Sequence, residues 1–234
     1  MNQENQLNGA GKTLVISDFD GTACAIDLGN SVLSVFAREG WQEIDRSYSA
    51  NEIGSRNAYG LVAGMIRASK ERILEHVREN GRLDPHFPAF YRFCREEGMD
   101  LRIVSDGLDF YIEEVLQRHG LAEIPYHANY AVFFAGDRMR VEFPDENELC
   151  WRCGTCKTSI VKNYRREYDR IIYIGDSYSD VCAAKEADLV FAKEILLEKC
   201  RENGTACIPF TDFSEIERYL RNGGGGLKQA KQGL

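Results

Sequence analysis

Positive charge is in short supply in this chain: 29 lysines and arginines stand against 37 aspartates and glutamates in 234 residues, a formal net charge of -8. Binding along a phosphate backbone needs a basic footprint. No broad nucleic-acid surface is therefore expected, and anionic small molecules must be caught locally. Long apolar runs are also missing. None approaches the roughly 20 residues that span a bilayer, and residues 1–11 are polar, with no hydrophobic h-region. The expectation is a cytoplasmic protein with no membrane association. Cysteine, at eight residues, is too sparse for a disulfide-dense scaffold, and a reducing cytosol keeps thiols free. Cys24, Cys94, Cys182, Cys200 and Cys207 sit in apolar or helical contexts and read as small core hydrophobes. None of the four histidines has a carboxylate or cysteine at ligand spacing, so they read as structural. There is no internal repeat.

What is present is the composition of a soluble globular protein, 44% hydrophobic and 28% charged. The length suits one large α/β domain, or a core of about 150 residues with a smaller insert. "TLVISDFDGT" opens with a β run, Thr13 to Ser17, that ends in acid, glycine and threonine. From Leu28 to Gly98 the pattern is mainly helical, broken at Gly40, Gly54, Gly81 and Pro85. "DLRIVSDG" reads as a buried strand ending in Ser105, Asp106 and Gly107, followed by a helix closed by Gly120. "YHANYAVFFAGDRMRVEF" reads as two strands around a Gly-Asp turn, and a cysteine-rich loop then opens the helix "TSIVKNYRREY". The last third alternates strand and helix from "RIIYIGD" to "FSEIERYL". Such alternation means right-handed βαβ units and a parallel sheet. The predicted fold is doubly wound, Rossmann-like α/β with a small helical cap inserted after the first strand. The core is placed at 12–26 and 88–222, the cap at 27–87, and flexible termini at 1–11 and 223–234.

In open α/β sheets, ligands sit beyond the carboxyl ends of the strands, near the point where strand order reverses. Three strand ends here carry chemistry: Asp18, Asp20, Gly21 and Thr22 after the first, Ser105 after the second, and Gly175, Asp176 and Asp180 in "IGDSYSD". Brought together, these carboxylates repel unless a hard divalent cation neutralises them, which predicts Mg²⁺. Taken singly, the acids after the first strand are as well read as an acidic turn, Ser105 as a helix cap and Lys157 as a solvated lysine. Asp27 is equally well a cap for the helix that follows it. Arg56 and Arg67 in the helical insert can be read as substrate contacts or as solvated helix arginines. The loop "LCWRCGTCK" leaves three readings for Cys150, Cys153 and Cys156. They are reduced thiols packing a turn, three ligands of a structural Zn²⁺ site with His127 or another cysteine as a fourth, or a disulfide pair with one thiol left over. In each reading the loop aims Lys157.

"DFDGT", "VSDG", Lys157 and "GDSYSD", in that order, resemble the four motifs of the haloacid dehalogenase superfamily of phosphatases. Each is weak alone, and four in order at element ends are specific. The resemblance implies a Mg²⁺-dependent phosphoric monoester hydrolase acting on a small phosphorylated metabolite. It implies Asp18 as nucleophile forming an aspartyl-phosphate, Asp20 as general acid and base, and Ser105 and Lys157 on the phosphoryl oxygens. It implies Asp18, Asp176 and the backbone carbonyl of Asp20 on the metal, and Asp180 supporting the metal or orienting Lys157. Backbone donors near Gly21, Thr22, Asp106 and Gly107 would add phosphate contacts. The insert occupies the place of the cap in the branch that includes phosphoserine phosphatases. Asp27, nine residues after Asp18, falls where those enzymes carry a glutamate for the substrate amine. From Tyr126 to Leu220 the chain more closely resembles the methionine-salvage phosphatases that act on 2-hydroxy-3-keto-5-methylthiopentenyl-1-phosphate. A phosphoserine-type phosphatase, a phosphotransferase and a non-catalytic metal or thiol protein on the same fold are the alternatives.

Overall fold

The computed structural model describes residues 11–150 and 152–223. The flexible termini expected at 1–11 and 223–234 lie outside these residues, apart from Gly11 and Gly223. The uninterrupted apolar run Leu14–Val15–Ile16 forms β1 (Thr13–Ser17), and all three side chains are fully buried. Such a run needs cover on both faces of the sheet. Val15 enters one apolar layer, while Leu14 and Ile16 enter the other.

β1 lies at the centre of a seven-stranded sheet, between β2 (Asp100–Leu108) and β5 (Arg170–Gly175). β3 (Tyr126–Phe134) and β4 (Arg138–Glu142) extend it on the β2 side. β6 (Leu189–Ala192) and the two-residue β7 (Ile208–Pro209) extend it on the β5 side. The order is β4-β3-β2-β1-β5-β6-β7, and every pairing is parallel except the β3–β4 hairpin. That hairpin turns through Gly136 and Asp137, both at positive φ, 78° and 55°. Glycine and aspartate tolerate this region better than most residues, and it matches the twist of the strands.

Between the loop after β1 and helix α5 (Phe87–Glu96) come four helices: α1 (Leu28–Phe36), α2 (Trp41–Ser49), α3 (Ser55–Ala63) and α4 (Lys70–Asn80). α5 returns to the sheet and stacks on α10 (Phe213–Arg221), with the Phe87 and Phe90 rings 4.9 and 5.2 Å from that of Phe213. The remaining crossovers are α6 (Asp109–Arg118), α7 (Lys157–Tyr164), α8 (Val181–Ala184) and α9 (Glu194–Asn203). α7 and α8 are shorter than their sequence patterns suggest. The stretch before α8, Tyr178–Asp180, is a single tight turn that places Asp180 rather than a full helical entry.

Two features position the site. β1 is the point where the chain order reverses, from β1–β2–β3 on one side to β5–β6–β7 on the other, so a crevice opens beyond its carboxyl end. The register of β2 on β3 then shifts between Val104, opposite His127, and Leu108, opposite Asn129. Ser105, Asp106 and Gly107 occupy this irregularity, a device that re-aims side chains and recurs beside active sites. Among the described residues, no helix is long and apolar enough to cross a membrane.

Candidate active site

Asp18 leaves β1 in an extended conformation, and its Oδ1 accepts from the Phe19 amide at 2.7 Å. Gly21 follows with φ 71°, and a Cβ there would collide with the Asp176 carboxylate. Only glycine meets both demands. Thr22 Oγ1 donates to Asp176 Oδ1, joining the ends of β1 and β5. The Asp20 carboxylate accepts from the Leu28 amide (2.9 Å) and from the Tyr111 hydroxyl (2.7 Å). Gly107 admits this contact, since a Cβ there would overlap the Tyr111 hydroxyl. Asp27 caps α1, its carboxylate accepting from the amide and side chain of Asn30 at 2.8 and 2.9 Å.

Lys157, the first residue of α7, is buried with its ammonium 2.9 Å from Asp18 Oδ1 and 2.7 Å from Asp180 Oδ1. Asp180 also accepts from the Tyr173 hydroxyl (2.7 Å) and from the amides of Asp176 (3.1 Å) and Ser177 (2.9 Å). With the Ser177 hydroxyl at 3.3 Å, five donors converge on its carboxylate, which holds the Lys157 ammonium in place. Burial alone would raise the Asp180 pKa, and the Lys157 charge reverses that and holds it below the ordinary carboxylate value. Burial would lower the lysine, and Asp18 and Asp180 together hold it well above its ordinary value. Asp18 itself is pushed well up by burial and by the Asp180 charge. Burial and Asp180 raise Asp176 to about 6, and burial with the charge of Asp27 raises Asp20 to about 8.

These shifts describe an excess of negative charge. Oxygens of Asp18, Asp176 and Asp180 lie within 4.8 Å of one another, the one such set of three ligand-type side chains among the described residues. Lys157 pairs with two of the three carboxylates, Asp18 and Asp180. The set is all oxygen and partly buried, which is the chemistry of a Mg²⁺ site.

A second buried polar group holds the lysine loop. Asp106 Oδ1 accepts from the Thr155 amide at 2.9 Å, Thr155 Oγ1 donates to Asn129 Oδ1 at 3.1 Å, and Asn129 Nδ2 donates to the Asp106 carbonyl at 2.6 Å. Ser105 Oγ accepts from the Gly107 amide at 2.9 Å. The same loop reaches the helical insert, where Arg152 Nη2 donates to Asn51 Oδ1 at 2.7 Å and Gly154 donates its amide to Ser55 Oγ at 3.0 Å.

The geometry lends the zinc reading of the cysteines no support: they form no group of three metal-ligating side chains among the described residues. Cys150 and Cys153 bring their sulfurs to 3.7 Å, but the Cys156 sulfur is turned inward by the start of α7, where it accepts from Ser159 Oγ at 3.2 Å. His127, the suggested fourth ligand, is taken by Asp145 and Tyr164, both at 2.9 Å. Burial and the Asp106 charge push the Cys153 thiol up. All three are free thiols that pack the turn. Replacing all three by serine should lower the melting temperature, because Cys156 is buried, and should leave kcat within about tenfold of wild type, under 1.4 kcal/mol in barrier terms. A collapse of kcat in a folded triple variant would overturn this reading.

Between the helical insert and the strand ends lies a cavity of about 170 Å³, lined on the core side by Asp18, Asp20, Ser105 and Asp106 and on the insert side by residues such as Asp27, Tyr48, Tyr59 and Val62. Arg56 and Arg67 do not reach it. Arg56 pairs with Glu146 at 2.6 Å, and Arg67 donates to the carbonyls of Gly64 and Ile66. Tyr111, Asn129 and Tyr173 are among the polar residues of this centre that sequence reasoning passed over. Asn129 alone left a trace, as an amide in the otherwise apolar strand "YHANYAVFF".

A fold with this switch point, carrying an acid pair, a buried lysine and distal aspartates at its strand ends, is the one that the motifs' resemblance to haloacid dehalogenase-type phosphatases implies. The sequence model of a family described as "Putative Phosphatase" matches residues 13–195. A 2-hydroxy-3-keto-5-methylthiopentenyl-1-phosphate phosphatase of Brevibacillus brevis is 31% identical over 213 residues, covering 90% of this chain and 96% of that protein. The phosphatase of the same name from Geobacillus kaustophilus is 32% identical over 209 residues, covering 88% and 94%. A substrate-bound phosphoserine phosphatase shares the fold, with a TM-score of 0.69 at 18% identity over 90% of this chain and 99% of that one. The chain belongs to this phosphatase family.

Proposed function

We propose that the chain is a Mg²⁺-dependent phosphatase that hydrolyses a small phosphorylated metabolite through an aspartyl-phosphate on Asp18. We further propose as its substrate the compound for which its bacterial relatives are named, 2-hydroxy-3-keto-5-methylthiopentenyl-1-phosphate. The observation that carries the reading is the buried Lys157 ammonium set between Asp18 and Asp180, with Asp176 beside them, where Asp18 and Asp176 line a cavity. Asp18, Asp176 and the backbone carbonyl of Asp20 would hold Mg²⁺, which supplies positive charge against the carboxylates and the phosphoryl oxygens.

Asp18 attacks phosphorus as a carboxylate, and the ester P–O bond breaks. Asp20, protonated below about pH 8 through burial and the charge of Asp27, gives its proton to the departing alcohol oxygen. The resulting carboxylate then takes a proton from water as that water attacks phosphorus, the Asp18–phosphorus ester breaks, and phosphate leaves. Lys157 and Ser105 hold the phosphoryl oxygens, and Tyr111 and the Leu28 amide fix the Asp20 carboxyl for both proton transfers. The helices of 27–87 act as the cap that keeps bulk water from the intermediate.

The test is p-nitrophenyl phosphate turnover with and without Mg²⁺, followed by turnover of the proposed substrate. EDTA should silence the enzyme, and Asp176→Ala should lower activity and raise the Mg²⁺ requirement. Full activity after exhaustive chelation would refute the metal role. The raised carboxyls also set a sign for stability. In metal-free protein the folded state holds protons on Asp18 and Asp176 that the unfolded chain releases near pH 4. Stability therefore falls as pH rises from about 4 through the folded values, about 6 for Asp176. Mg²⁺ should raise the melting temperature more at pH 8 than at pH 5, and an equal shift at both would contradict the carboxylate site.

A further inference from the structure

The phosphatase reading leaves one buried acceptor unused. Asp106 is only 8% exposed and lines the cavity beside Ser105. Its Oδ1 is occupied by the Thr155 amide and approached by Asn129 Nδ2, but its Oδ2 is buried with no hydrogen-bond partner. A buried carboxylate oxygen without a donor is costly, and a site that leaves one open favours a ligand that brings the donor. The wall around it has one electrical sign. Asp27 and Asp45 face the same cavity, and among the described residues that line it none is lysine, arginine or histidine. Arg56 and Arg67 are held elsewhere, as described above. Lys157 is already shared between Asp18 and Asp180.

Resting on the phosphatase reading, we propose that Asp106 is a specificity-determining residue: it accepts a hydrogen bond from a hydroxyl on the carbon next to the phosphate ester. Together with Asp27 and Asp45 it also turns away esters whose alcohol carries a carboxylate. The accepting role fits the 2-hydroxyl that gives the proposed substrate its name, one carbon from the phosphate. The repelling role works by placing like charge against a wrong ligand, with no cationic side chain in the cavity wall to receive it. Phosphate esters of hydroxy acids then bind poorly, however well the phosphoryl group fits.

The experiment compares kcat/KM of the full chain with Mg²⁺ on glycerol 3-phosphate, n-propyl phosphate and 3-phosphoglycerate, with p-nitrophenyl phosphate as the test of phosphatase chemistry. Glycerol 3-phosphate and n-propyl phosphate differ in hydroxyls, and glycerol 3-phosphate and 3-phosphoglycerate differ in a carboxylate. Wild type should prefer glycerol 3-phosphate over each of the others by about tenfold or more. Asp106→Asn keeps an oxygen for the Thr155 amide and replaces the open oxygen by a donor. It should shift the ratio of 3-phosphoglycerate to glycerol 3-phosphate upward by about tenfold. Each comparison is a ratio within one protein, so a general loss of rate cancels, and if the variant does not fold the wild-type ratios decide alone. Turnover of p-nitrophenyl phosphate without either preference, or a ratio unmoved in a folded variant, overturns the inference. Absence of turnover on every ester overturns the phosphatase reading and this inference with it.

Discussion

Asp18→Asn should yield a folded protein whose kcat is lower by about a thousandfold or more, at least about 4 kcal/mol in the barrier. The amide keeps the shape of the side chain, and its oxygen can still accept from the Phe19 amide and from Lys157, as the carboxylate does at 2.7 and 2.9 Å. What it loses is the anionic oxygen that bonds to phosphorus. Folding should therefore survive while turnover does not. The variant also relieves charge repulsion from Asp180 and Asp176, two of the causes that raise the Asp18 carboxyl, so its metal-free melting temperature should be no lower than that of wild type. Steady-state kinetics and thermal unfolding on the same preparation check both halves. Residual activity within about tenfold, a loss of only about 1.4 kcal/mol, would contradict covalent catalysis by this residue.

Lys157→Ala should fail on two counts at once. The ammonium that would face the phosphoryl oxygens disappears, at a cost of about 3 kcal/mol or more in the barrier, as loss of a preorganised donor commonly does. The same change leaves Asp18 and Asp180 buried without their cation, and breaking a buried pair by removing one partner costs about 3–5 kcal/mol of stability. Protonation of the orphaned carboxyls will absorb part of that cost, so the loss should be smaller at pH 5 than at pH 8. Urea unfolding at the two pH values measures this, and kcat measures the catalytic half. A stable variant with turnover within about tenfold of wild type would remove Lys157 from the mechanism. Set beside the triple-serine variant of the cysteine loop, it also separates the residue that does chemistry from those that hold it in place.

The sheet and the three strand-end motifs were legible because both follow short-range rules. An apolar run of strand length, such as Leu14–Ile16, followed by acid and glycine states its own position in an α/β fold. Gly21 and Thr22 were legible for the same reason, although the atom that makes glycine necessary at 21 belongs to Asp176, 155 positions away. Partners brought together only by topology were not legible. Tyr111 lies 91 residues from the Asp20 it bonds, and Asn129 lies 26 residues from Thr155. The zinc reading drew on the opposite kind of signal, local spacing, and the geometry lends it no support. Three cysteines at regular intervals say nothing about the direction in which a helix start turns the last of them. For Asp27 the two sequence readings turn out compatible, since it caps α1 and also lines the cavity.

The two ends of the sheet bear on how copies of the chain behave at high concentration. A strand at a sheet edge exposes unpaired amides and carbonyls that invite another strand to add, the first step toward aggregation. One edge here is β4, whose Arg138, Arg140 and Glu142 are exposed while Met139 and Val141 turn inward. The other is β7, two residues long and carrying Pro209, which has no amide hydrogen to offer. A strand approaching the first edge meets alternating ionic side chains, and one approaching the second finds almost no ladder to join. Both edges resist extension by strand addition, so the long apolar strands between them stay safe from intermolecular pairing as long as the protein is folded.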